Sequence, residues 1–177
     1  MVCPMNASWG EPRSKSVTWY DPMVGARLGA EMSGLDYLRA MLRGDLPPPP
    51  IGGLMSFQPE AVEVGDVVFS CEPDESVYNP IGVVHGGLVC TLLDSVAGCA
   101  VHSTLPAGVG YTSAEIKVSY LRPVRADTGK LLAHGWVVKP GRRLAFAEAD
   151  VRSPDGTVVA TASSTLLVMG QRSAIEA

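Results

Sequence analysis

The most regular pattern in the chain is an apolar face at helical spacing that begins directly after a glycine pair. From residue 86 to about 102, Leu88, Val89, Leu92, Leu93, Val96, Cys99 and Ala100 fall on one side of a helix at about 100° per residue. The opposite side holds Gly87, Cys90, Thr91, Asp94, Ala97 and Gly98. Asp94 is therefore a lone carboxylate among small residues, on a face that another backbone or a ligand can approach closely. Upstream, Ser33 and Asp36 form an N-cap pair, with Leu35, Leu38, Met41 and Leu42 following at helical spacing. Gly44 and the prolines at 47–50 end that helix.

Elsewhere the period is two. In residues 111–121 the even positions Thr112, Ala114, Ile116, Val118 and Tyr120 alternate with Ser113, Glu115, Lys117 and Ser119, which predicts a strand with Thr112 on the helix-facing side. Turns at 127–129, 139–142 and 153–156 separate further strands over 130–138, 143–152 and 158–169. Residues 51–57 and 65–71 also read as strands. Four consecutive strands joined by short turns, preceded by one long helix, predict an α+β class with the helix lying on an antiparallel sheet. Residues 1 to about 30 show no clean periodicity and read as a tail with room for some helix. The expected organisation is an N-terminal extension over 1–50, one domain over 51–170 and a C-terminal tail over 171–177.

Composition narrows the function classes. The 177 residues are 46% apolar and 18% charged, which suits one globular domain with some surface covered in an oligomer. A formal net charge of −4 argues against generic nucleic-acid binding. No apolar run reaches membrane-spanning length, and the first twenty residues lack an apolar secretory core, so a cytoplasmic protein with no membrane partner is expected. Cys3, Cys71, Cys90 and Cys99 have no zinc-ligand spacing, and no metal site is expected.

Chemistry concentrates in one run, where Asn79, His85, Gly86 and Gly87 precede the helix and Asp94 lies a little over two turns inside it. Free N–H groups at a helix start attract an oxyanion or a carbonyl oxygen. Together with Thr112, the Tyr120-Leu121-Arg122-Pro123 segment and Gly141-Arg142-Arg143-Leu144-Ala145, the run resembles hotdog-fold acyl-CoA thioesterases of the phenylacetate-pathway type, in the 4-hydroxybenzoyl-CoA thioesterase superfamily. The resemblance covers about residues 50–170. It implies a curved antiparallel sheet wrapped around a central helix, with an extra N-terminal helix here, and a homodimer or a homotetramer built from two dimers. It also implies an active site shared between subunits: Gly86 N–H and Asn79 polarise the thioester carbonyl, while Asp94 of the neighbouring chain acts as nucleophile or general base. Thr112 would hold the attacking water, and His85 would orient the loop or meet the leaving thiolate. Gly87, Arg122, Arg142 and Arg143 are the substrate-binding candidates, the arginines toward the phosphates of coenzyme A. Coenzyme A is then part of the substrate, and no other cofactor is expected. Two rival readings stay open, a hydroxyacyl-thioester dehydratase and a hotdog protein that binds acyl-CoA without cleaving it.

Overall fold

The computed structural model describes residues 10–170; Cys3 and the expected tail at 171–177 lie outside them. Three helices come first: α1 (Pro22–Ala30), α2 (Gly34–Arg43) and α3 (Pro50–Met55). Strands β1 (Phe57–Glu63) and β2 (Asp66–Cys71) follow, then α4 (Gly86–His102). Strands β3 (Gly110–Tyr120), β4 (Leu131–Lys139), β5 (Leu144–Arg152) and β6 (Val158–Met169) complete the domain. The six strands form one antiparallel sheet in the order β1-β2-β4-β5-β6-β3.

Two expectations are corrected. Residues 51–57 do not form a strand. Pro50 stands at the start of a helix, where its missing N–H costs nothing, and the chain turns through α3 before β1 opens at Phe57. In addition, β3 does not neighbour β4. It pairs with β6 at the far edge, so the connection through residues 121–130 crosses to the other side of the sheet. The helical part of residues 1–30 is α1, so two helices precede the prolines.

The predicted helix at 86–102 is found with those bounds and forms the centre of the molecule. Leu92, Leu93 and Val96 are completely buried against Val67, Leu131, Ala133, Val151 and Leu166 of the sheet. Each such side chain contributes about 1.5–3 kcal/mol by leaving water. The sheet can close on the helix because β4 carries Gly135 at the contact. A Cβ there would lie 2.4 Å from the Val96 carbonyl group and 2.8 Å from Ala97 N. Register shifts in four strand pairs, at Pro59/Ala61, Ser113/Glu115, Val137/Lys139 and Val151/Arg152, bend the strands around α4. This curved sheet wrapped on one long helix is the hotdog fold. Helix α2 adds to the core through Leu38, capped as expected by the Ser33 side chain, which accepts from Asp36 N.

Candidate active site

The loop before α4 is built by its own polar groups. Asn79 N–H donates to the Val83 carbonyl (2.8 Å), and the Asn79 side-chain oxygen accepts from Ile81 N (3.0 Å) and Val83 N (3.3 Å). His85 N–H donates to the Val77 carbonyl and Val84 N–H to the Val124 carbonyl, which fixes where the helix starts. His85 is the N-cap of α4, and its Nδ1 accepts from Gly87 N–H at 2.8 Å. With Nδ1 accepting, a neutral His85 ring carries its proton on Nε2, which leaves an N–H donor on an exposed side chain.

Gly86 is the first helical residue, and no described hydrogen bond uses its N–H. Its carbonyl accepts from the Tyr120 hydroxyl at 2.9 Å. A Cβ at Gly86 would lie 3.1–3.2 Å from the Tyr120 ring and hydroxyl, so only a bare backbone fits this seat without moving the ring. Gly86, Tyr120, Leu121 and Arg122 share the lining of an open cleft of about 290 Å³. Arg122 also donates to the Val158 carbonyl at 3.2 Å.

Asp94 is half-buried on the next exposed sector of the same helix, eight residues past Gly86. That spacing is about 12 Å along the axis and about 80° around it. The hydroxyl that meets it is Ser113, which donates to Asp94 Oδ1 at 2.6 Å. Thr112, expected on the helix-facing side to hold the attacking water, is exposed and faces away. Side chains alternate along a strand, but the bulge between Ser113 and Glu115 inserts one residue and reverses the alternation. Tyr111 and Ser113 therefore face the helix on one side of the bulge, and Tyr120 does so on the other. The bulky Tyr111 at an odd position, set against Ile116 at an even one, is the sequence signal for this phase change.

Asp94 and Ser113 open onto a second cavity of about 220 Å³, mostly apolar, in which Asp94 is the one carboxylate. The other titratable groups there stay neutral: burial pushes the Cys99 thiol up to about 12 and the Tyr111 phenol well above its usual value. Arg142 and Arg143 are exposed at the β4–β5 turn. Strand register places that turn at the Thr112 end of the sheet, because Leu144 pairs with Leu167 and Leu167 with Thr112. Arg122 is at the opposite end of β3, two residues past its last residue, Tyr120. One protomer thus brings Asn79, His85, Gly86, Gly87 and Arg122 together at one end of the site face. Asp94 and Ser113 lie at the other, on the side of the two turn arginines.

Comparison with known proteins places the fold in a family. Residues 81–160, which include Gly86, Asp94 and Ser113, match the profile of the Thioesterase superfamily. Human acyl-coenzyme A thioesterase 13 is 32% identical over 88 residues, 49% of this chain and 61% of that protein. A Halobacterium salinarum relative is matched over 59% of its length, so the chain spans about three-fifths of these curated relatives. Among solved structures, a Streptococcus mutans protein bound to acetyl CoA superposes with a TM-score of 0.60 at 29% identity, over 66% of this chain and 90% of that one. A phenylacetic acid degradation-related protein of Ralstonia eutropha gives a TM-score of 0.68 at 31% identity, over 74% of this chain and 98% of that one. A near-complete alignment to the Ralstonia protein, and a profile match that falls on the helix bearing Asp94, make this chain a member of the thioesterase superfamily.

Proposed function

We propose that the protein hydrolyses an acyl- or aroyl-CoA thioester to the free acid and coenzyme A, at sites shared between the two chains of a homodimer. The observation that carries this reading is the placement of Asp94. It is held by Ser113 at the mouth of an apolar cavity, about 12 Å along α4 from the unengaged Gly86 N–H. One thioester carbonyl cannot touch both groups in a single protomer. A second copy bringing its Gly86 opposite Asp94 satisfies both requirements.

Ser113 occupies Oδ1 and leaves Oδ2 for the reacting partner. As a general base, Asp94 takes a proton from water while the water oxygen bonds to the carbonyl carbon; as a nucleophile, its oxygen makes that bond directly. In both cases the carbonyl electron pair moves to oxygen. The Gly86 N–H and the Asn79 side-chain amide donate to the oxyanion, a kind of stabilisation worth about 2.7–4 kcal/mol per donor. Collapse breaks the C–S bond, the departing thiolate accepts a hydrogen bond from the His85 Nε2–H, and the proton held by Asp94 in the general-base route passes through solvent to the thiolate. A direct attack leaves an anhydride that water then hydrolyses. Arg122 from the Gly86 side, and Arg142 and Arg143 from the Asp94 side, are the cationic candidates for the coenzyme A phosphates. The relative named as an acyl-coenzyme A thioesterase and the neighbour bound to acetyl CoA support the choice of carrier.

The test is thiol release from a panel of CoA thioesters by the wild type and by Asp94→Asn. Turnover is expected in the wild type and a loss of at least about 100-fold in the variant, the lower end of what a positioned acid–base group supplies. Full activity in Asp94→Asn would remove the carboxylate from the reaction. Loss of a 3-hydroxyacyl hydroxyl without thiol release would point to a dehydratase.

A further inference from the structure

The cavity beside Asp94 is walled by a segment outside the family match. Met41 of α2, the prolines Pro48 and Pro49, and Ile51 and Gly52 of α3 line one side of it, all well before residue 81. Phe57, Phe69 and Tyr111 close the remainder, and Asp94 with Ser113 marks where a reacting carbonyl would sit.

This wall is held firmly. Leu38 is almost fully buried and anchors α2, while the Arg39 guanidinium donates to Glu63 (2.6 Å) and to the Val62 carbonyl (3.4 Å). The two prolines have fixed φ, and Gly52 N–H donates to the Pro49 carbonyl at 2.9 Å. Beyond α3, Lys15 Nζ bridges Ser56 Oγ (2.8 Å) and Asp74 Oδ2 (2.7 Å), and Glu72 N–H donates to the Ser56 carbonyl. The segment is pinned at both ends, so an acyl group that outgrows the cavity cannot simply push it aside.

Volume then decides what fits. An apolar cavity of about 150 Å³ takes up benzene, and one liquid-water volume is about 30 Å³. The 220 Å³ here admits a single aromatic ring with about two further heavy atoms, or a straight chain of similar bulk. A palmitoyl chain is well beyond it. We propose that residues 41–52 form the specificity wall of the acyl site, with Met41 and Ile51 setting the upper size of the acyl group. The carrier in this proposal rests on the thioester reading above; the size limit does not.

The experiment compares wild type, Met41→Ala, Ile51→Ala and Ile51→Trp on acetyl-, hexanoyl-, benzoyl-, phenylacetyl-, octanoyl-, dodecanoyl- and palmitoyl-CoA. Two readouts are taken, kcat/KM for thiol release and calorimetric Kd in the Asp94→Asn background. Wild type is expected to prefer the ring-sized and hexanoyl groups over dodecanoyl and palmitoyl. The alanine variants should move the preference toward longer chains, each newly buried methylene gaining about 4-fold, equivalent to about 0.8 kcal/mol. Ile51→Trp should lose the ring-sized substrates while keeping acetyl-CoA. Ile51 is 38% exposed, so its variants leave the core intact. An identical length profile in wild type and all three variants, or an equal loss on every substrate, overturns the wall. No thiol release by wild type on any substrate overturns the hydrolase reading instead, and the Kd series still decides the wall.

Discussion

Ser113→Ala is the substitution that separates the geometry from the sequence pattern. It deletes one hydroxyl whose described bond goes to Asp94 Oδ1 at 2.6 Å, and it removes nothing from the core because Ser113 is exposed in the protomer. A hydrogen bond to a charged group is worth about 1.5–3 kcal/mol. Part of that holds the carboxylate rotamer in which Oδ2 faces the substrate. Losing it should lower kcat by roughly 10-fold, with about 150-fold as the ceiling if the whole bond acts in the transition state. KM should change little, since the apolar wall that would hold the acyl group is untouched. Thr112→Ala is the control: its side chain lies on the other face of β3, and activity should stay within about twofold. The assay is initial-rate thiol release with one well-used CoA thioester at several concentrations, so that kcat and KM separate. Ser113→Thr should recover part of the lost rate by restoring the hydroxyl. A large loss in Thr112→Ala with little in Ser113→Ala would refute the bulge argument and return the hydroxyl role to Thr112.

Two further outcomes concern stability. Gly135→Ala places a Cβ 2.4 Å from the Val96 carbonyl group, against backbone that cannot turn aside. The cost should be about 3 kcal/mol, which lowers Tm by roughly 6–12 °C at fixed protein concentration; an unchanged Tm would mean that helix and sheet are farther apart than described. Cys71 is buried, and desolvation pushes its thiol up from 9.0 to about 11. Between those values the unfolded chain has already released a proton that the folded chain still holds. This contribution to stability is complete below pH 9 and falls away as pH rises toward 11. The Tm difference between wild type and Cys71→Ala should therefore shrink over that range, and a constant difference would contradict the burial assignment.

How much was legible in the sequence depended on whether the determining contacts were local. Helix α4, its start at the glycine pair and the placement of Asp94 off the Leu/Val face follow from spacing within one element. The unbroken period from Leu88 to Ala100 left no competing register. The partner of Asp94 was missed because one extra residue at Ala114 reverses the facing of β3, and even–odd alternation cannot register an insertion. The strand expected over 51–57 overlooks its own spacing, since Ile51, Leu54 and Phe57 lie three apart, as on a helix. The better signal was Pro50, favoured at the first position of a helix. The edge position of β3 could not be read at all, since strand order is set by which strand packs across α4 rather than by any one segment. The cavity wall is hidden for the same reason: Met41 and Ile51 come to line one cavity with Asp94 only once α2 packs on β1 and α4, and α3 packs on β1. Arg122 and the Arg142–Arg143 pair were grouped by charge, and strand register shows them at opposite ends of β3.

The central claim, a thioester hydrolysed between Gly86 of one chain and Asp94 of another, is tested most directly by subunit complementation. Asp94→Asn removes the carboxylate. Gly86→Pro removes the N–H donor at a helix position where proline is tolerated, and His85 already has the extended backbone that precedes a proline; Tyr120→Ala, carried in both chains, clears the ring that the new Cβ would meet at 3.1–3.2 Å. Each variant alone should be nearly inactive. Co-expressed and isolated as mixed dimers through two different affinity tags, they should regain thiol release, because one of the two sites then combines an intact Gly86 with an intact Asp94. Mixed dimers as inactive as either parent would contradict a shared site.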